Sequence, residues 1–229
     1  MYRKRRTILV IGFLIFLSFL ISINSQQAQS QTINNHLSRK TSGISAMVTL
    51  NEIPIKESGP KSSYSRDQFG SGWTTKSGCD TRNIILNRDL MNAVVNEKCE
   101  VTSGVLNDPY TGKVIKFVRG SSTSGAIQID HVVALSDAWQ KGASYLTKDE
   151  RVALANDPLE LLAVDGSMNE QKSDGDAATW LPPNKLFRCE YVARQIAVKK
   201  KYKLWINLAE HDAITMILSS CVGQMLPSP

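Results

Sequence analysis

Two short apolar segments and the helix start that follows them place the strongest limit on how this chain can fold. Residues 126–133 (AIQIDHVV) begin with alternating apolar and polar side chains, which is typical of a strand. Residues 159–164 (LELLAV) form a second apolar segment, and a turn follows it at residues 165–166. Ser167 and Glu170 then have the spacing of a capping box, which predicts a helix start. The predicted order is therefore strand, strand, turn and capped helix.

The first segment carries an acid and an imidazole next to each other, Asp130 and His131. Successive side chains on a strand point to opposite faces, so one of the two can hold a metal while the other faces a water or substrate. Asn169, in the first turn of the predicted helix, can return to the same metal. A histidine with an ordinary pKa of ~6.5 suits a general base, and oxygen ligands suit a hard divalent ion. This pattern favours a hydrolytic metal site.

The rest of the chain predicts short strands followed by long helices. Residues 107–112 (NDPYTG) are a strong turn signal between two apolar runs, which indicates a β-hairpin. Thr147 and Glu150 form another capping box. Apolar residues recur every three or four positions from residue 185 onward and again over residues 207–220, which predicts two helices. Strands first and helices later indicate an α+β fold.

The amino-terminal region predicts export from the cytoplasm. Residues 3–6 are all basic, and the apolar run 8–23 follows them, so residues 1–30 are interpreted as a secretory signal peptide. The same run is nearly long enough to remain as a membrane anchor, which needs roughly 17–25 residues. Either alternative places the protein outside the cell or anchored at the outer face of the membrane, and the anchor would be its only membrane contact. Residues 31–62 are predicted to be a flexible polar arm, and residues 63–229 a single globular domain.

The net charge says little about the partner of this domain. The formal charge of the chain is +6, but four positive charges lie in residues 3–6 and residues 1–30 contain no acid, which leaves +2 for the remainder. A charge this small is weak evidence for nucleic-acid binding, so local side chains must carry that argument.

The four cysteines predict two disulfide bonds in an exported domain. Three pairings are open, and the spacing favours Cys79 with Cys99 and Cys189 with Cys221, because each pair closes a short loop. The chain has no Cys-x-x-Cys pair and only three widely separated histidines. These two features argue against structural zinc and against a zinc hydrolase of the cell wall.

Several motifs together resemble those of the HNH endonuclease superfamily. The chain is most similar to exported HNH proteins related to the nuclease domain of GmrSD-type modification-dependent restriction enzymes. The resemblance covers most of residues 64–221. Its motifs lie at residues 64–70, 79–83, 88–90, 108–112, 129–135, 157–166, 169–176 and 177–183.

The resemblance implies a ββα-metal (HNH) core with additional helices, the β-hairpin and the disulfides. It implies that Asp130 and Asn169 hold one divalent ion, Mg²⁺ first and Mn²⁺ second, and that His131 is the general base. On the second strand the superfamily often has an asparagine that helps to hold this histidine, whereas Glu160 stands at that position here. A carboxylate there can accept a proton from the imidazole or point into solvent.

The resemblance also implies a nucleic-acid substrate, DNA first and RNA second, and no obligate protein partner is evident. Lys172, Arg82 and Arg88 are the predicted phosphate contacts, because arginine's fork matches phosphate oxygens. Asp174 and Asp176 are expected to support the site or to cap a loop. The predicted function is an exported metal-dependent endonuclease. The alternative is a non-catalytic nucleic-acid-binding module of the same fold.

Overall fold

The computed structural model describes residues 43–227. The predicted signal peptide or anchor at residues 1–30, and residues 31–42 of the predicted arm, lie outside the described residues. Within residues 43–227, no helix combines the length and the apolar composition needed to cross a bilayer.

Residues 43–227 fold into α-helices and short strands, which confirms the α+β prediction. The helices are α1 Ala46–Leu50, α2 Thr81–Asp89, α3 Leu135–Gln140, α4 Lys148–Ala155, α5 Gly166–Lys172, α6 Arg188–Lys201 and α7 Leu208–Ser219. The strands are β1 Thr75–Lys76, β2 Cys79–Asp80, β3 Met91–Val95, β4 Val101–Asn107, β5 Val114–Val118, β6 Ile127–His131 and β7 Leu161–Asp165. The strands form three small antiparallel sheets, β1-β2, β3-β4-β5 and β6-β7, and β4 and β5 are the predicted hairpin.

Strands β6 and β7 are antiparallel, and α5 begins immediately after β7. Asp130 lies opposite Leu162, and His131 lies opposite Leu161. The predicted order of strand, strand and helix is therefore present. This unit positions the candidate site.

The β6-β7 pair is buried on both faces because it lies between two hydrophobic cores. Ile127, Ile129 and Leu161 pack into one core with α2 and the three-stranded sheet. Leu162 and Val164 pack into the other core, which is built mainly from helices. Burial on both faces explains why the second strand has an almost continuous apolar sequence.

The predicted flexible arm, residues 31–62, overlaps the folded domain. Residues 43–62 include α1, in which Ala46 and Leu50 are fully buried. Ser45 also forms a β-bridge with Met225. The prediction is wrong for residues 43–62. It was based on the polar composition of the whole segment, but a few apolar residues within it pack against the helical core.

One predicted helix start is confirmed and the other is wrong. Thr147 and Glu150 form the capping box at α4. Helix α5, however, begins one residue before Ser167, and the Asp165 carboxylate caps it by accepting a hydrogen bond from the N–H of Met168. The next residue, Gly166, has no room for a side chain, because a Cβ there would lie 2.1 Å from the carbonyl oxygen of Gly125.

Both predicted disulfides are present, and each joins separate elements. Cys79–Cys99 ties β2 to the turn between β3 and β4. Cys189–Cys221 ties the first turn of α6 to the residues just after α7. Bonds of this kind stabilise a small domain by restricting its unfolded chain.

Candidate active site

A surface cleft of about 370 Å³ lies beside the carboxyl-terminal parts of β6 and α5. It is lined by three of the predicted site residues, Asp130, His131 and Asn169, and by Arg66 and Gln128 among others. Four predicted site residues do not line it: Glu160, Lys172, Arg82 and Arg88. The cleft thus contains the predicted base and both predicted metal ligands, but none of the predicted phosphate contacts.

The His131 ring is held with one nitrogen available as a base. Its Nε2 lies 3.0 Å from the carbonyl oxygen of Ala155. A carbonyl oxygen only accepts, so Nε2 carries the proton and Nδ1 carries the lone pair. No group in residues 43–227 forms a hydrogen bond with Nδ1. Burial, helped by the charge of Arg66, lowers the pKa of His131 to about 3, so the imidazole is neutral at physiological pH.

Asp130 lies on the other face of β6, as strand alternation predicts. The hydroxyl of Tyr110 donates to its Oδ2, and the ammonium of Lys172 lies 2.9 Å from its Oδ1. Burial raises the pKa of Asp130, and the charge of Lys172 and the hydrogen bond from Tyr110 oppose that shift. Each carboxylate oxygen has a second lone pair, so these two contacts do not exhaust the coordination capacity of Asp130, which lines the cleft.

Asn169 offers a second oxygen to the same cleft. Its side-chain amide donates to Oε1 of Gln128 at 2.8 Å, which fixes the orientation of the amide. Among the described residues, none donates to the Asn169 side-chain oxygen. A carboxylate and an amide oxygen beside an open cleft fit a hard ion such as Mg²⁺, which uses few protein ligands and keeps several waters.

Lys172 is not at the surface, which corrects its predicted contact with phosphate. Its side chain is fully buried, and its ammonium binds Asp130 and the carbonyl oxygen of His131 at 2.7 Å. The side chain lies between α5 and β6, because both elements are packed into the core. Its role in the structure is to hold Asp130 and to balance the charge of that carboxylate.

Glu160 is not next to the His131 ring, which corrects its predicted role in orienting the base. The cross-strand neighbour of His131 is Leu161, so the side chain of the preceding residue points to the opposite face. Glu160 is fully buried there, and its Oε2 accepts a hydrogen bond from the N–H of Val133 at 3.2 Å. Burial raises the pKa of Glu160 well above its ordinary value. The carboxyl is neither in solvent nor hydrogen-bonded to the imidazole.

Arg82 and Arg88 are structural, which corrects the prediction that they contact phosphate. The Arg82 guanidinium lies 3.3 Å from the carbonyl oxygen of Ile127, at the start of β6. Arg88 pairs with the carboxylate of Asp89 and donates to the carbonyl oxygen of Leu161 at 2.8 Å. Both arginines therefore fasten α2 to the β6-β7 pair.

Three residues that contact the site had no role assigned from the sequence. Arg66 lines the cleft, is exposed and forms no ion pair within the described part of the chain. The indole of Trp73 lies against the His131 ring. Tyr110, in the turn of the β-hairpin, is fully buried and holds Asp130. Arg66 and Tyr110 belong to motifs of the family resemblance, and that was the one signal available for them.

A second group of acids could be mistaken for a metal site. Asp137, Asp176 and Glu210 have carboxylate oxygens close enough to share an ion. The ammonium of Lys141 already lies 2.6–2.7 Å from all three, and Lys199 lies 2.9 Å from Glu210. Two lysines therefore balance much of the negative charge, and this cluster is a buried ion-pair network. Asp176 also caps the loop that follows it, which was one of its two predicted roles.

Comparison with known proteins identifies a family that the chain matches. A family model for GmrSD restriction endonucleases, C-terminal domain, matches residues 80–217. An uncharacterized secreted protein of Arthroderma benhamiae is 37% identical over 183 residues, which is 79% of this chain and 86% of the relative. No solved structure matches the chain.

Proposed function

The chain belongs to the family of GmrSD restriction endonuclease C-terminal domains, and from that membership we propose that it is an exported metal-dependent endonuclease. The substrate in this proposal is the phosphodiester backbone of DNA, with RNA as a second substrate. Export is supported by the basic and apolar amino-terminal sequence and by the name of the relative, which calls it secreted.

The observation that carries the proposal is the neutral imidazole in the cleft. His131 has an unprotonated Nδ1, and the cleft that it lines also contains the oxygens of Asp130 and Asn169. A neutral imidazole can take a proton from water as that water attacks phosphorus. A divalent ion held by Asp130 and Asn169, Mg²⁺ or Mn²⁺, would supply neutralisation of the phosphate charge and stabilisation of the leaving oxygen.

Neighbouring residues keep these groups in the required state. The Ala155 carbonyl accepts a hydrogen bond from the Nε2–H of His131, and this bond selects the tautomer with a basic Nδ1. Lys172 and Tyr110 orient the carboxylate of Asp130, and Gln128 orients the amide of Asn169. Such supporting contacts are what a metal ligand requires to remain in place.

Nicking of supercoiled plasmid DNA tests the proposed function. We expect the purified protein to convert supercoiled DNA to open circles with Mg²⁺ or Mn²⁺ and to stop when EDTA is added in excess. Asp130→Asn should weaken the response to metal, so that more Mg²⁺ is needed for half-maximal rate. Cleavage that is equally fast in EDTA would contradict the metal requirement.

A second candidate function is a non-catalytic nucleic-acid-binding module. The observation that favours it is that both carboxylate oxygens of Asp130 already have hydrogen-bond partners. In that case the protein would retard DNA in a gel without nicking it under any of the metal conditions.

Arg66 is the proposed phosphate-binding residue in place of Lys172, Arg82 and Arg88. Its guanidinium is exposed at the cleft, and a charge-assisted bond to phosphate contributes about 1.5–3 kcal/mol. Arg66→Ala is therefore expected to lower kcat/KM for nicking by about 10–100-fold. The control is Lys113→Ala, which removes an exposed cation of the β-hairpin turn outside the cleft. Equal losses in the two variants would contradict a specific role for Arg66.

A further inference from the structure

The indole of Trp73 lies parallel to the imidazole of His131. The ring centroids are 5.7 Å apart and the ring planes differ by 7°. We propose that Trp73 is a positioning residue for His131, and that it forms one side of a clamp whose other side is the carbonyl of Ala155. This inference rests on the proposed function, because it is His131 acting as the base that needs a fixed ring.

The two contacts restrain the ring in different ways. The hydrogen bond from Nε2 to Ala155 fixes one atom of the imidazole, but it leaves the ring free to turn about the N–H···O direction. A flat aromatic surface against the ring face blocks that rotation, because a turned ring would lose the parallel contact. The two contacts together fix the direction of the Nδ1 lone pair. Misplacement of a reacting group by about 1 Å can cost 10²-fold in rate.

A single helix end carries both sides of the clamp. Ala155 is the last residue of α4, and its carbonyl accepts from His131. The next residue, Asn156, accepts a hydrogen bond from the N–H of Thr74 at 2.9 Å through its side-chain oxygen. Thr74 directly follows Trp73, so the end of α4 sets the position of the indole as well as that of the carbonyl.

The segment that bears Trp73 is also fastened on its other side. The carbonyl of Thr74 accepts a hydrogen bond from the N–H of Thr81 at 2.9 Å, at the start of α2. Between these two residues, β1 and β2 form a short hairpin whose second strand carries the disulfide to Cys99. Trp73 must itself be held in place if it is to restrain the imidazole, and these anchors hold it.

The proposal is tested with Trp73→Ala, Trp73→Phe and the control Trp205→Phe. The Trp205 indole N–H donates to the carbonyl of Glu57, and the residue does not line the cleft. We expect Trp73→Ala to lower kcat for nicking by about 10–100-fold with KM changed less than about twofold. Trp73→Phe keeps a flat ring and should recover most of the rate. The control should resemble the wild type.

A second measurement does not depend on activity. The stacked indole shields the ring protons of His131, so their NMR signals should lie upfield in the wild type and in Trp205→Phe. They should move downfield in Trp73→Ala and only partly in Trp73→Phe, and circular dichroism verifies that each variant is folded. If Trp73→Ala is not folded, Trp73→Leu supplies the same comparison.

Two results would overturn the proposal. One is an unmoved set of His131 signals when the indole is removed. The other is a rise in KM at constant kcat, which would assign Trp73 to substrate stacking instead. If the wild type nicks no DNA with any metal, the proposed function fails, and the NMR comparison alone then decides whether Trp73 holds the ring.

Discussion

Replacement of His131 by alanine is expected to lower the rate of plasmid nicking by about 10²–10⁴-fold, the range that general-base catalysis contributes. His131 is the proposed base because its Nδ1 has no hydrogen-bond partner among residues 43–227, and because its ring lines the cleft together with Asp130 and Asn169. The rate is measured under single-turnover conditions with saturating Mg²⁺, so that weaker DNA binding does not enter the result. DNA binding by gel retardation should change little.

The matched control is His211→Ala, which removes an imidazole from α7, outside the cleft. The His211 ring has its closest polar contact with Asp212 at 3.4 Å, so its loss should leave nicking unchanged. Equal nicking by wild type and His131→Ala would remove His131 from the mechanism. Equal losses in the two histidine variants would point to general damage to the fold.

The strand-strand-helix unit and three residues of the candidate site could be predicted because their signals are local. Alternation along β6 fixes the opposite directions of Asp130 and His131, and α5, which begins directly after β7, runs alongside β6 and brings Asn169 to the cleft. The disulfides were predictable for a related reason, since each closes a short loop. These features depend on spacing, which the sequence displays directly.

The partners of the charged residues could not be predicted, because packing between distant segments determines them. Lys172 has the residue type of a phosphate ligand, but the contact between α5 and β6 buries its ammonium beside Asp130. Glu160 is directed away from His131 by its register, which a one-residue difference in pairing would reverse. Trp73 reaches His131 from a segment 58 positions earlier in the chain, and no local pattern indicates such a contact.

The partners of three consecutive lysines in the last turn of α6 could not be predicted either. They are Lys199, Lys200 and Lys201. The run is ambiguous in sequence between a solvated face and a surface for nucleic acid. In the structure Lys199 is fully buried and lies 2.9 Å from Glu210 and 3.3 Å from Asp137. Lys200 pairs with Glu52 at the surface, where both side chains are about half exposed. Two adjacent residues of one type therefore belong to different environments.

Lys199→Met is expected to lower the free energy of unfolding by about 3–5 kcal/mol, because it leaves buried carboxylates short of a counter-charge. Lys200→Met removes an exposed ion pair and should cost about 0–1 kcal/mol. Urea unfolding of both variants at pH 7 makes the comparison, and equal costs would contradict a buried network.

The cost of Lys199→Met should also depend on pH, and its direction follows from Glu210. Burial raises the pKa of Glu210, so this carboxyl is among the first of the cluster to take up a proton as the pH falls, and the proton neutralises the charge that Lys199 had balanced. The destabilisation by Lys199→Met relative to wild type should therefore be smaller at pH 5 than at pH 7, whereas the small cost of Lys200→Met should hardly change.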